Sequence, residues 1–282
     1  MTAVLTARRR FFAEEIQAVA GLKNAALVDA LATVPREAFL PHGPWVVQGD
    51  MSGARPTPDA DPRHVYHNYS VAIDPQRQLF NGAPALVAGA IDVLGVGAGM
   101  RVLHVGAGLG YYSAILAHIA GTSGRVVAIE VDKELAAQAQ ANTSSIASLD
   151  VRAGDATAAF DDQFDAILIT TGVTHPQPAW LDALAEGGRM IVPLTAVIPA
   201  MGSVGKGVMV LVTRGEGDNF AARALTFVAI YSGLGLRDDG LNEQLGRALM
   251  RTPFPRLTRL RRDAHAPEQT CWLHGEDFCL SS

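Results

Sequence analysis

The chain has 282 residues, of which 49% are hydrophobic and 18% charged, and its formal net charge is −5. That size and apolar content support a sizeable core and exclude global disorder. The acidic balance lacks the basic footprint that nucleic-acid binding leaves, so no nucleic-acid partner is expected.

The N-terminal stretch carries Arg8, Arg9 and Arg10 but no apolar run with a small-residue cleavage site, so no secretory leader is expected. The longest apolar stretch, "PALVAGAIDVLGVGAG", is too short to span a bilayer. A cytoplasmic protein without a membrane partner is the expectation. Whether it is a monomer or a homodimer is left open by the sequence.

In chain order, apolar residues recurring at three and four predict helices through 7–32. The Arg8–Arg10 run reads as a solvated helix face. "VPREAFLP" closes this pattern between two prolines. Residues 42–64, rich in Gly, Pro and Asp, read as a long loop of the kind that serves as a lid, with Trp45 either anchoring it or forming a wall for a substrate. A helix is predicted over 85–96. Short apolar strands then alternate with helices: "RVLHVG", "YYSAILAHIAG", "GRVVAIEVD", "KELAAQAQANTSSI", "LDVRAGD", "FDAILITTG", "PAWLDALAEGG", "RMIVPLT". That alternation predicts an α/β fold with a doubly wound, mostly parallel sheet. After residue 195, two longer strands with a polar turn predict an antiparallel hairpin, and "LNEQLGRALMRT" a helix. The last segment, "TCWLHGEDFCLSS", reads as a terminal strand or irregular chain. Three regions follow: 1–75 with N-terminal helices and a capping loop, 76–215 as the cofactor-binding core, and 216–282 as C-terminal strands, helix and extension.

Cys271 and Cys279 are the two cysteines. With one histidine between them they make a poor zinc signature, so two ordinary thiols are the favoured reading and no metal is expected; a disulfide and a metal site are the alternatives.

The chemistry centres on "HVGAGLG". Gly106, Gly108 and Gly110 follow a strand and open a helix, where glycines permit a sharp turn and close approach of a ligand to the backbone. Glu130 ends the next strand, placed to accept both hydroxyls of a ribose, with Val131 beside it. Asp155 and Ala156 follow the third strand, where the carboxylate can take an adenine amino group. Together these describe an adenosine-type cofactor site. NAD favours a GxGxxG turn, whereas position 111 here is Tyr. S-adenosylmethionine, with no pyrophosphate, suits the observed loop better. A methyl transferred to a carboxylate needs no general base, whereas a hydroxyl or amine normally does. Candidate polar groups lie at His64, Tyr66, His67, Tyr69 and Asp74, and at Thr174 and His175. One of Tyr111 and Tyr112 is expected in the core, the other at a pocket edge.

These motifs resemble the protein-L-isoaspartate (D-aspartate) O-methyltransferase family of class I methyltransferases. The resemblance rests on "VPREAFLP", "RVLHVGAGLGYYSAILAHIAG", "AGDA", and "FDAILITTGV" followed by "HPQPAWLDALAEGGRMIVPLT", and covers about residues 7–195. It implies a Rossmann-like methyltransferase fold and S-adenosylmethionine as cofactor, held by His104, Gly106, Gly108, Gly110, Glu130, Val131, Asp155, Ala156 and Thr171. It also implies O-methylation of a carboxylate in a protein, peptide or related substrate; a small-molecule acceptor and a noncatalytic binding protein are the alternatives. The sequence departs from the family at two places. His104 stands where the family has Glu, and Phe80, Asn81 and Gly82 stand where it has Thr-Ile-Ser over the transfer site. Asn81 and His67, in the segment that caps the family's site, are the candidate catalytic residues.

Overall fold

The computed structural model describes residues 3–49, 53–197 and 204–282. The chain forms two compact units, one from residues up to Val102 and from Ala107 to Gly154, the other from Leu103–Gly106 and Asp155–Ser282.

The first unit opens with α1 (Ala3–Ala20) and α2 (Ala25–Thr33). Asn24 starts α2 by accepting hydrogen bonds from the N–H groups of Ala26 and Leu27, at 3.0 and 3.3 Å. The helices bury Phe12, Ile16, Leu27 and Leu31. Arg9 is buried too, which corrects the reading of the arginine run: only Arg8 and Arg10 are solvated. Arg9 Nε donates to the Tyr66 hydroxyl at 2.8 Å, and both groups bond the Glu37 carboxylate.

A 3-10 turn, Arg36–Phe39, leads into the predicted lid. That stretch is not all loop. It contributes β1 (Val46–Gln48) and β2 (Arg55–Pro56), then a 3-10 turn at Pro62–Val65; residues 50–52 lie outside the described residues. With β3 (Ser70–Asp74) and β4 (Leu79–Phe80) they form a four-stranded antiparallel sheet in the order β2-β1-β3-β4. Strands of two or three residues amid Gly and Pro leave no readable alternation. Trp45 anchors the segment: it is buried, its Nε1 donates to the Pro41 carbonyl at 2.7 Å, and its backbone pairs with Thr57.

Arg36, fully buried, organises the chain that follows. Its Nη1 donates to the carbonyls of Val65 (2.6 Å) and His67 (3.2 Å), and its Nη2 to the Tyr69 carbonyl (2.7 Å) and Asn81 Oδ1 (3.3 Å).

Next come α3 (Pro84–Leu94), the start of β5 (Arg101–Val105), α4 (Tyr111–Ala120), β6 (Arg125–Glu130), α5 (Lys133–Thr143) and β7 (Leu149–Ala153). β6 and β7 pair in parallel, with Glu130 opposite Ala153 at their carboxyl ends. Ala107, Ala128, Ala139 and Val151 form a small-residue core that lets α5 approach the strands closely.

The second unit holds the end of β5, then β8 (Phe164–Ile169), α6 (Pro178–Ala183), β9 (Leu184–Ala196), β10 (Val204–Arg214), β11 (Phe220–Tyr231), α7 (Asp239–Arg251), β12 (Arg259–Arg261), β13 (Cys271–His274) and β14 (Cys279–Ser281). From β8 the strand order is β8-β9-β10-β11-β12-β14-β13. β8 and β9 are parallel, and the predicted hairpin β10–β11 is antiparallel. Leu225 on β11 is an unmatched bulge residue: Met209 pairs with Thr226 and Val210 with Ala224.

The helix predicted over "PAWLDALAEGG" ends early, at Ala183. Arg214 Nη1 caps its last carbonyls, most closely Leu184 at 2.6 Å, and Gly187 turns the chain at φ +76°. The C-terminal segment is a hairpin, β13–β14, rather than one strand or irregular chain. The fold is α/β with a mixed sheet and additional C-terminal strands.

Replacing Arg36 with Met should destabilise the protein by about 3–5 kcal/mol, because three main-chain carbonyls and Asn81 lose one shared donor together. Chemical denaturation of the variant beside the unaltered protein measures this.

Candidate functional site

In the first unit, the turn after β5 is held by its neighbours on β6. Ala107 N–H donates to the Ile129 carbonyl at 3.2 Å, and Gly108 N–H to Glu130 Oε2 at 2.8 Å. Glu130 Oε1 accepts from Asp132 N–H at 3.1 Å. Glu130 is buried. Burial pushes its carboxyl up from the ordinary range, against the lowering effect of the backbone donors of Asp132, Gly108 and Val131.

Gly108 and Gly110 have φ of +55° and +91°, in the region that favours glycine. A Cβ on Gly110 would lie 3.0 Å from Thr143 Cγ2, a contact that α5 must give way to by a few tenths of an ångström; one on Gly108 would meet Ile73 Cδ1 of β3 at 3.4 Å. β3 therefore lies against the glycine turn. The β3–β4 turn is tied to the end of β6 as well: Arg77 bonds both Asp74, at 2.5 Å, and Asp132, which caps α5. Val131, between Glu130 and Asp132, leaves an apolar side chain 41% exposed.

Asn81 is held from both sides by β3. Its N–H donates to the Val71 carbonyl at 2.9 Å, and its Oδ1 accepts from Val71 N–H at 2.8 Å and from Arg36. With Oδ1 on two donors, the amide orientation is set and Nδ2 is the group presented elsewhere. The Gly82 carbonyl accepts from the Tyr112 hydroxyl at 2.7 Å. Both tyrosines after the glycine turn are buried, and the Tyr111 hydroxyl is enclosed without a protein partner. His67 is exposed; its carbonyl, not its ring, joins the Arg36 network. His64 pairs with Asp59 at 2.9 Å.

In the second unit, His104 is fully enclosed at the end of β5, and desolvation lowers its imidazole to about 3. The Thr170 hydroxyl donates to the Gly106 carbonyl at 2.7 Å, so its oxygen accepts from His104 Nε2–H at 3.0 Å. This fixes the proton on Nε2. Gly106 has φ +87°, and a Cβ there would sit 3.2 Å from Thr170 Oγ1. His104 thus acts through Thr170 on the first glycine of the turn. Thr171 Oγ1 donates to the Tyr231 carbonyl at 3.1 Å. Asp155 accepts from both the N–H and the hydroxyl of Thr157, at 2.9 and 2.8 Å. Ala156 is buried, and its carbonyl accepts from Trp180 Nε1 at 2.7 Å. Gln177 Nε2 donates to His175 Nε2 at 3.2 Å, so Thr174 Oγ1 accepts from His175 Nδ1–H at 2.9 Å and from Asp238 N–H at 3.1 Å. Burial lowers the His175 imidazole, with Asp238 and Asp277 acting in the opposite sense.

The structure therefore brings Gly108 and Glu130 into direct contact, and His104, Thr170 and Gly106 into one chain of hydrogen bonds. It gives His67 no ring contact with the glycine turn. Arg36 and Thr170 carry much of this organisation. The position of Arg36 between the prolines of "VPREAFLP" was its only sequence signal.

Residues 57–207, more than half of the chain, match the family model of protein-L-isoaspartate(D-aspartate) O-methyltransferase. The chain belongs to this family. The Methylorubrum extorquens protein-L-isoaspartate O-methyltransferase is 32% identical over 232 residues, spanning 79% of this chain and 89% of that one. Protein-L-isoaspartate O-methyltransferase 1 of Rhodopseudomonas palustris is 32% identical over 199 residues, spanning 69% and 72%. Among solved structures, a protein-L-isoaspartate O-methyltransferase superposes with a TM-score of 0.64 at 22% identity, covering 86% of this chain and 69% of that one. The Plasmodium falciparum homologue in complex with S-adenosyl-L-homocysteine gives 0.60 at 16% identity, covering 79% and 97%. These likenesses carry the Rossmann-like methyltransferase fold. Family membership makes the protein an S-adenosylmethionine-dependent methyltransferase. The residues of the first unit fit that cofactor: a buried carboxylate ends β6 beside a turn whose glycines adopt positive φ and bring the backbone close.

His104 gives the folded methyltransferase a specific acid sensitivity. In the unfolded chain its imidazole titrates near 6.5, in the fold near 3. Between those values the unfolded chain holds a proton that the folded chain does not, so stability falls as pH drops. The slope from this group is at most about 1.4 kcal/mol per pH unit. Denaturation between pH 7 and pH 4 should show a shallower pH dependence for His104→Asn than for the unaltered protein.

Proposed function

We propose that this methyltransferase forms a methyl ester on a carboxylate of a protein or peptide. The observation that carries this reading is the state of His104. It is neutral, enclosed, engaged with Thr170, and too weakly basic to take a proton at neutral pH. A carboxylate acceptor is already ionised and asks for no base. S-adenosylmethionine, when bound, supplies an electrophilic methyl group on a sulfonium. The ester O–C bond forms as the S–C bond breaks, the electron pair stays on sulfur, and the opposite charges of acceptor and donor cancel.

The chain's own part is to bind, orient and exclude water. Glu130 is assigned to the ribose hydroxyls, beside Gly108 and Gly110, with Val131 covering an apolar face of the cofactor. In the second unit, Asp155 and Ala156 are assigned to the adenine edge, and His104 to positioning Gly106 through Thr170. Asn81 is assigned to the acceptor. With Oδ1 turned onto Val71 and Arg36, its Nδ2 is a fixed donor suited to a carboxylate oxygen. This replaces the hydroxyls that the segment lacks at Phe80, Asn81 and Gly82, so the acceptor is recognised differently from the isoaspartyl substrate of the family.

Incubation with methyl-labelled S-adenosylmethionine and peptides carrying isoaspartyl, aspartyl or glutamyl residues should yield base-labile label; base-stable label, from an ether or amine, would overturn the reading. Glu130→Gln should weaken S-adenosylmethionine binding about 10- to 100-fold by calorimetry, the loss of charge-assisted bonds. Asn81→Asp keeps the acceptors for Val71 and Arg36 but opposes a carboxylate. It should lower kcat/KM at least about tenfold, one lost hydrogen bond or more, with cofactor affinity unchanged.

A further inference from the structure

The family match ends at residue 207, and the C-terminal strands beyond it hold a side-chain cluster that methyl transfer does not use. One ligand atom each from His265, Cys271, His274 and Cys279 lies within 4.8 Å of the other three. The sequence reading saw only His274 between the cysteines. His265 arrives from the segment before β13, and the antiparallel register of β13 and β14 sets His274 directly across from Cys279.

We propose that these four residues form a structural zinc(II) site. Two thiolates and two neutral imidazoles make a set that selects zinc among common divalent ions and cancels its charge. A tetrahedral zinc with metal–sulfur bonds of about 2.3 Å and metal–nitrogen bonds of about 2.0 Å places its ligand atoms about 3.3–3.8 Å apart. The cluster reaches that geometry by a small contraction. Four protein ligands leave no open position, so the role is to tie the hairpin together.

The surroundings are those of a metal site. His265 Nδ1 lies 2.8 Å from the Asp263 carbonyl, so it carries the ring proton and leaves the Nε2 lone pair facing Cys271 Sγ at 3.7 Å. Glu268 N–H donates to Cys271 Sγ at 3.3 Å, a bond that favours a thiolate. Asp263 and Glu268 are drawn off onto Arg261, at 2.6 and 3.3 Å, which leaves the ligand set to nitrogen and sulfur. His274 Nδ1 is buried without a hydrogen-bond partner. The rings of His265 and His274 meet edge to face, centroids 4.7 Å apart. Both cysteines are free thiols. Binding releases their two protons to solvent as two metal–sulfur bonds form, with no change in oxidation state.

The test uses the full chain, purified under reducing conditions from zinc-supplemented culture. Elemental analysis should find one zinc per chain, and Tm should fall on chelation and recover with zinc. Cobalt(II) added to the apo protein should give the visible bands of a tetrahedral ion and near-ultraviolet thiolate charge transfer. Cys271→Ser should abolish the charge transfer from that ligand. His265→Asn, outside the buried core, should fold and weaken metal affinity by more than the about 10- to 100-fold that outer-shell changes cost. S-adenosylmethionine affinity should stay unchanged in both variants. Metal-free protein whose Tm ignores zinc, cobalt spectra without tetrahedral bands, or a Cys271–Cys279 disulfide in protein purified without reductant would each overturn the proposal.

Discussion

One buried guanidinium shapes the segment from Val65 to Asn81 in the first unit. Arg36 carries a full charge into the interior, and its surroundings answer with main-chain carbonyls of Val65, His67 and Tyr69 and the amide oxygen of Asn81. A buried charge without such partners is strongly unfavourable, so the chain from Val65 to Asn81 has little freedom to choose another path. β3 then takes its place over the glycine turn, and Asn81 has its orientation set. A short loop-rich segment acquires the rigidity of a framework element through a single side chain.

Two kinds of constraint act at the turn after β5. At Gly108 and Gly110 close backbone approach decides: a Cβ there would meet Ile73 or Thr143, and the Gly108 N–H is fixed on Glu130. At the end of β5, polar identity decides. Thr170 relays the hydrogen bond of the enclosed, neutral His104 to the Gly106 carbonyl, so the geometry of the turn is set without a charge.

What the sequence made legible follows from the range of the interactions. β5, β6 and β8 are continuous apolar runs buried on both faces, and glycines or an Asp cap mark the bounds of α4 and α5. The glycine turn and the acid ending the next strand follow from strand–turn–helix order, whereas the bond from Gly108 N–H to Glu130 Oε2 appears only in the fold. The Arg36 bonds join residues 29 to 45 positions apart, and three of the four end on main-chain carbonyls, which have no residue signature. The end of α6 was misread because Arg214 caps it from another strand. The cluster at 265, 271, 274 and 279 was missed for a related reason. Its spacing is irregular along the chain and becomes regular only across a hairpin.

The bulge at Leu225 bears on what can pair with the remaining flank of β11. β11 is long, and among the described residues β12 pairs with it only at Phe220 and Ala221. A strand from a second molecule could follow the remaining edge from Tyr231 to Thr226, but there the repeat breaks, since Leu225 shifts the ladder by one residue. A straight intruding strand would leave its own polar groups unmatched or put its side chains on the wrong faces. One extra residue thus makes that flank a poor template for a further straight strand.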